Sequence, residues 1–332
     1  MGWWNNVWKT RAEDWVYGWL GPEQVPPNSP SGRIVPDTAY LNVFLKSARV
    51  VDVRKGLSNF YGVVHSFIKL AHPSLKTAEF NVVTTPTALK NVDERVDRVV
   101  QINQRLLGPT PYRGGDLEIE VGLFSVPSSS LAGPYLSLLE NLSAAAGVSF
   151  ISTALPFVSL ILEGMKLLAG GQDIRLEIGL SMTEPEPRQG YCVVVRAPKD
   201  ALPLTSLYLD PADFRLLDWN GRSIASYPYL VLEVQAQRNR ADWFRIPDLA
   251  KPYSRIKEFY REGPGRSEDT DAALQMFRRV ARTCDDLIIE DANKVAKGVA
   301  SMYEIENANA ATRGSEAGPV EFPDLQELNL YS

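Results

Sequence analysis

Runs rich in Val, Phe and Tyr, with partial alternation of apolar and polar positions, recur along the chain between residues 37 and 240. Such runs are typical of β-strands. Strands are predicted in this way at 40–53, 58–70, 78–84, 116–125, 173–181, 191–197, 204–209 and 228–237. Because strands and helices do not alternate regularly, we expect mainly antiparallel pairing rather than a doubly wound parallel sheet.

Helical spacing of apolar residues appears in two other regions. After Pro86, apolar residues from 89 to 107 fall near one face of a helix, which we expect to end at Gly108 and Pro109. Beyond about residue 241 the pattern becomes helical. Helices are predicted there at 247–262, 268–286 and 289–304.

These patterns together predict an α+β fold. Its body, residues 37–240, is expected to be a mainly antiparallel β-sandwich with inserted helices. A helical region at 241–305 and an acidic tail at 306–332 follow it.

The N-terminal twenty residues are unusually rich in tryptophan, with five of the seven tryptophans of the chain. On a helical wheel Trp4, Trp8, Trp15 and Trp19 fall within about 60° of each other, which predicts an amphipathic helical arm. Such an arm can fold back on its own body, dock on another subunit or insert at a membrane surface. Because tryptophan is enriched among residues that dominate binding energy, Trp4, Trp8, Trp15, Trp19 and Leu20 are the predicted partner-binding residues.

A proline-rich segment, residues 21–36, joins this arm to the body and contains five prolines. Its composition is typical of a polyproline-like linker, which would act as an extended spacer. A core helix rarely needs so long a stiff spacer, so the segment favours docking of the arm on a partner.

An apolar stretch within the body has no charged residue from Leu142 to Leu162. Gly147 and Pro156 interrupt it, so we interpret residues 131–170 as a helical hairpin with helices near 131–146 and 156–169. Packing on the sheet is the simplest role for this hairpin, but a partner-binding face or membrane insertion is also open. The residues that would insert are Phe150, Ile151, Phe157, Val158, Leu160 and Ile161.

Composition narrows the possible chemistry. The chain of 332 residues has a net charge of −5, two histidines and two cysteines. This argues against zinc fingers, iron–sulfur sites, disulfide frameworks and most histidine-based catalysis, and it disfavours nucleic-acid coating. No cofactor or metal site is predicted. The N-terminus lacks a secretory signal and the cysteines are far apart, so we expect a cytoplasmic protein.

One enzymatic pattern remains as a remote alternative. Asp218 and Glu233-Val-Gln235 are spaced like the carboxylates of magnesium-dependent nucleases of the restriction type. In those enzymes a lysine supports the nucleophilic water at the position that Gln235 occupies, and glutamine supplies no positive charge. The match is therefore weak.

The sequence thus favours a non-enzymatic assembly or adaptor protein that docks on partner subunits through its N-terminal tryptophan arm. The partner is expected to be another protein or a second copy of the chain. The main alternative is a membrane-inserting, pore-forming effector that uses the hairpin at 131–170.

Overall fold

A computed structural model describes residues 15–51, 54–55, 58–70, 78–83, 99–127, 175–198, 201–262, 268–313 and 321–331. These residues form antiparallel sheets followed by C-terminal helices, which confirms the predicted α+β class. The apolar hairpin predicted at 131–170 lies outside the described residues, as does the arm before residue 15.

The first sheet contains the strands β1 (Trp15–Trp19), β2 (Gly32–Arg33), β3 (Tyr40–Arg49), β7 (Val99–Pro111), β10 (Arg188–Arg196) and β13 (Tyr229–Gln237). Their order is β1-β10-β13-β3-β7, with β2 paired to the start of β10, and all pairs are antiparallel. Strand β1 therefore lies at one margin of this sheet.

The second sheet contains the strands β4 (Arg54–Lys55), β5 (Ser58–Leu70), β6 (Ala78–Val83), β8 (Leu117–Pro127) and β9 (Arg175–Glu184). Their order is β4-β5-β8-β9, with β6 also paired to β5. The predicted span 58–70 agrees with β5 at both ends, because Val, Phe and Tyr concentrate there and favour extended backbone.

The two sheets share one hydrophobic core. Alternate residues of β3, such as Leu41, Val43 and Leu45, are fully buried together with Ile119 and Val121 of β8. Alternation places every second side chain of a strand on one face, so both sheets direct their apolar faces into this cluster.

The helix predicted up to residue 107 is not formed in its second half. Residues 99–111 are instead strand β7, paired with β3. The β-branched residues Val99, Val100 and Ile102 favour a strand, and pairing with β3 adds hydrogen bonds that outweigh the helical spacing of the apolar residues. Residues 86–98 lie outside the described part of the chain.

The opposite face of the first sheet is covered by residues 201–228. They contain the short strands β11 (Tyr208–Leu209) and β12 (Leu216–Leu217), whose side chains pack with Tyr191 and Val193 of β10. The strand predicted at 204–209 is thus only partly present, because residues 204–206 form a 3-10 turn after Pro203.

The C-terminal helices are α1 (Pro247–Glu262), α2 (Glu268–Arg282) and α3 (Ile289–Arg313). They form a second hydrophobic core around Phe277, Val295 and Tyr303. Helix α2 ends four residues earlier than predicted, and α3 runs nine residues further, through an alanine-rich stretch that favours helix. Residues 321–331 of the acidic tail pack on these helices.

Buried His65 on β5 makes folding sensitive to acid. Burial lowers the pKa of His65 from 6.5 to about 3. Below pH 6.5 the unfolded chain binds a proton at His65, whereas the folded chain does not bind one until the pH approaches 3. The free energy of unfolding is therefore unaffected by His65 above pH 6.5 and decreases as the pH falls from 6.5 toward 3. We expect a loss of about 2 kcal/mol at pH 5, measured by urea unfolding at pH 7 and pH 5.

A His65→Gln variant is the control for this effect, since the carboxylates that also titrate between pH 7 and 5 are unchanged in it. Its free energy of unfolding should fall less over this range than that of the wild type, by about the same 2 kcal/mol. Equal losses in the two proteins would contradict the assignment to His65.

Candidate docking site at the edge strand β1

The end of the tryptophan-rich arm is a strand and not the predicted helix. Residues 15–19 pair with β10 in the register Trp15 to Arg196 through Trp19 to Cys192. The sequence Trp-Val-Tyr-Gly-Trp is rich in residues that favour strands, and β10 supplies hydrogen bonds along it. Trp15 and Trp19 fit the stripe on the helical wheel, but with Tyr17 they also follow the period of two that is typical of a strand. Trp3, Trp4 and Trp8 lie outside the described residues.

The backbone of β1 has one paired side and one open side. The N–H of Leu20 donates to the carbonyl of Tyr191, the residue opposite it, at 2.9 Å. In an antiparallel ladder, successive residues direct their backbone groups alternately toward and away from the partner strand. Trp15, Tyr17 and Trp19 therefore direct N–H and C=O away from β10, where none of the described strands pairs with them. We call this open side the β1 edge.

Trp19 is fixed by three contacts with the chain's own body. Its indole Nε1 donates to Glu184 Oε1 at 2.9 Å, and the guanidinium of Arg188 lies 4.9 Å from the ring centroid. Its ring also packs against the core that the two sheets share. Trp19 therefore anchors β1 in place within one chain.

Leu20 also contacts its own chain, because it packs with the residues that cover the first sheet. Trp19 and Leu20 were predicted from the sequence to bind another subunit, whereas in the structure both pack within their own chain. A contact of these residues with another subunit remains a prediction.

Among the side chains of β1 from Val16 to Trp19, that of Tyr17 is the most exposed. It is 58% exposed and lies opposite Val194, whose side chain is buried in the shared core. Paired residues share a sheet face, so Tyr17 stands beside the core at the margin of the sheet. The sequence analysis missed Tyr17, although its period of two with Trp15 and Trp19 is visible in the sequence.

Gly18 lies on the other face of β1 under a close neighbour. A Cβ atom added there would stand 2.6 Å from Leu204 Cδ2, which is too short for a real contact. Glycine therefore lets the covering residues reach the strand, and β1 is held from both faces.

The proline-rich segment after β1 is held against the body and is not an extended spacer. The buried Gln24 donates from Nε2 to the carbonyls of Leu204 and Leu207 at 2.8 and 2.7 Å. Ile34 belongs to the shared core, and β2 pairs with β10. The prolines exclude a long helix but permit a short 3-10 turn at 22–24. Because of the contacts of Gln24, Ile34 and β2, the segment follows the surface of its own chain.

The carboxylates of the nuclease-like pattern are engaged in other contacts. Glu233 is buried, with its Oε2 3.2 Å from Lys46 Nζ, and its Oε1 accepts the hydroxyl proton of Tyr191 at 2.8 Å. Burial and this hydrogen bond raise the pKa of Tyr191 above its usual range. Asp218 accepts the backbone N–H groups of Asn220 and Arg222 at 2.8 Å each, which closes a turn.

Lys46 is also enclosed by aromatic rings, with its Nζ 4.3 Å from the centroid of Phe214. A buried ion pair of this kind fixes the positions of the Lys46 and Glu233 side chains. Among the described residues, no group of three His, Cys, Asp or Glu side chains is placed to hold a metal ion.

The membrane-insertion residues proposed from the sequence, Phe150, Ile151, Phe157, Val158, Leu160 and Ile161, all lie outside the described residues. Within the described part of the chain, no helix is long and apolar enough to cross a membrane.

The β1 edge is thus the place where the described structure offers unpaired backbone groups beside an exposed aromatic side chain. Comparison of the chain with protein-family models, with curated proteins and with solved structures gave no match.

Proposed function

We propose that this chain is a non-enzymatic assembly or adaptor protein that docks on partner subunits through its N-terminal tryptophan-rich segment. The observation that carries the proposal is the β1 edge, with the outward backbone groups of Trp15, Tyr17 and Trp19. An extended segment of a partner can add to such an edge as a further strand, and side chains such as Tyr17 then contribute specificity.

The way in which β1 is held supports this role. Glu184, Arg188 and Leu204 fix the strand before a partner arrives. Docking on an ordered strand costs less conformational entropy than docking on a free arm, and this increases affinity. The two sheets with their shared core are then a rigid β-sandwich body that carries the docking strand.

The first test takes the partner to be a copy of the chain itself and uses light scattering on the full-length protein. We expect a defined oligomer for the wild type and a single-chain mass for Tyr17→Lys. A lysine on an edge strand opposes strand pairing, because the approaching strand must bury or displace a charge. Tyr17 is 58% exposed, so the substitution should leave the fold intact.

Trp219→Lys is the matched control, because Trp219 is 73% exposed and belongs to a turn outside β1. This variant should keep the wild-type mass. A wild type that stays a single chain up to high micromolar concentration, or an equal loss of mass in both variants, would contradict docking through β1.

A further inference from the structure

The sequence of β1 reads almost the same in both directions, Trp-Val-Tyr-Gly-Trp. If two copies of this strand run antiparallel with Tyr17 facing Tyr17, then Trp15 of each copy stands opposite Trp19 of the other. Val16 stands opposite Gly18. A self-complementary strand is the sequence requirement of an interface formed by the same surface on both subunits.

The hydrogen-bonding pattern agrees with this register. Tyr17 is one of the residues that direct N–H and C=O toward the β1 edge, because Leu20 bonds to Tyr191 on the other side. Two copies centred on Tyr17 therefore exchange both hydrogen bonds of that pair. A shift by one residue would bring together groups that are already bonded to β10.

We propose that β1 pairs antiparallel with β1 of a second copy around a two-fold axis at Tyr17, so that the first sheet continues from one subunit into the other. This inference rests on the proposed function and names its partner. The axis stands perpendicular to the sheet, so the core-facing sides of both copies lie on the same side of the continuous sheet.

The β1 edge lacks the features that prevent strands from pairing. It has no charged residue and no proline, and its register with β10 is unbroken over all five residues. Strand β7, at the opposite margin of the same sheet, carries Arg105, a positive φ of 42° at Asn103 and three register shifts against β3. Charges and irregularities of this kind are how edges avoid unwanted pairing, so β7 is protected and β1 is not.

A symmetric disulfide tests the register directly in the full-length chain. In the proposed dimer the two Cα atoms of residue 17 are about 5.5 Å apart, which suits a disulfide. We expect Tyr17→Cys to give a covalent dimer as the main product of mild oxidation on a non-reducing gel. The native thiols should not interfere, because Cys192 and Cys284 are buried and burial raises the pKa of each to about 12.

Val16→Cys is the register control. Residue 16 faces residue 18 of the other copy, so its own two copies are roughly 8 Å apart and beyond disulfide reach. Trp219→Cys, at an exposed position outside β1, controls for random collisions. Both controls should give at least tenfold less covalent dimer than Tyr17→Cys.

Tyr17→Pro provides an independent variant. Proline removes the N–H that points to the second copy and leaves the hydrogen bonds to β10 in place, so the single chain should fold while dimer affinity falls at least tenfold. Tyr17→Phe keeps the N–H and should remain dimeric.

The outcomes separate the two proposals. An oligomeric wild type without a Tyr17→Cys crosslink, or with equal crosslinking at position 16, overturns the two-fold pairing but leaves docking of subunits standing. A wild type that stays a single chain and does not crosslink overturns both.

Discussion

Replacing Arg240 by methionine is expected to lower the free energy of unfolding by about 3–5 kcal/mol. The side chain is fully buried between the first sheet and the C-terminal helices. Its Nη1 donates to the carbonyl of Pro109 on β7 and to the carbonyl of Asp286, each at 2.9 Å. Methionine fills much of the volume but donates no hydrogen bond, so buried acceptors on both sides lose their donor.

The guanidinium also holds two carboxylates, which makes the loss larger than that of a neutral hydrogen bond. Its Nε lies 3.0 Å from Asp242 Oδ1, and its Nη1 lies 3.5 Å from the buried Asp286 Oδ1. Removing one partner of a buried ion pair leaves the other charge in a poorly solvated place. A typical domain is stable by only 5–15 kcal/mol, so the variant should unfold at much lower urea concentration.

Arg238→Met is the matched control, because Arg238 is exposed and only two residues away in the same segment. It should change the free energy of unfolding by less than about 0.5 kcal/mol. Arg240→Lys should give an intermediate loss, since lysine keeps the charge but cannot reach all the acceptors at once. A loss below about 1 kcal/mol in Arg240→Met would show that other contacts join the sheet to the helices.

The spacing of apolar residues predicts those strands and helices that bury one face, because burial of one face imposes a period of two residues on a strand and of 3.6 residues on a helix. Helix α1 was predicted at 247–262 and found at those bounds. Strand β7 was missed because Val99, Val100 and Leu107 also fit a helical spacing, and the deciding factor is pairing with β3. Such pairing joins residues about 60 positions apart, which a local pattern does not contain.

The candidate site shows the same limit. The tryptophan-rich composition is visible in the sequence, but the strand at residues 15–19 was predicted as a helix. The reason is that Trp15 and Trp19 fit both a helical stripe and a period of two. Whether residues 15–19 become a strand depends on the hydrogen bonds that β10 offers, and β10 lies some 175 residues later in the chain. Docking of Gln24 against Leu204 and Leu207 was unpredictable for the same reason.

A buried hydrogen-bond cluster that joins the first sheet, the tail and α3 was also not predictable from the sequence. The hydroxyls of Tyr40 and Tyr331 both donate to Asp291 Oδ2, at 2.6 and 2.7 Å. These residues belong to β3, to the end of the tail and to the first turn of α3, which are far apart in the sequence. Asp291 can be buried because it accepts hydrogen bonds from two tyrosine hydroxyls. The local sequence around each of the three residues does not indicate this contact.

The tail supplies the second large effect, because Phe322 is a core residue of the helical region. The side chain is 2% exposed, and its ring centroid lies 5.1 to 6.0 Å from those of Tyr253, Tyr260 and Tyr303. The tail is fixed on either side of this ring. The hydroxyl of Tyr253 donates to the carbonyl of Pro323 at 2.6 Å, and Lys257 Nζ lies 2.6 Å from Asp324 Oδ1.

Residues 306–332 were predicted to be an acidic tail, yet the apolar residues of the segment 321–331 determine how this segment packs. Leu328 reaches α3 at Gly298, where a Cβ atom would stand 2.8 Å from the leucine Cδ atoms. Glycine at this point leaves a shallow notch in the helix for the leucine. The acidic side chains Glu321, Asp324 and Glu327 remain exposed, so charge keeps the outer face of the tail in water.

Phe322→Ala is therefore expected to lower the free energy of unfolding by about 3–5 kcal/mol, as the loss of a buried aromatic ring leaves a cavity among three tyrosines. Urea unfolding followed by tyrosine fluorescence measures the change. Gln326→Ala, at an exposed position of the same tail, should change it by less than about 0.5 kcal/mol. If the two variants were equally stable, the tail would be an appendage and the helices would hold together without it.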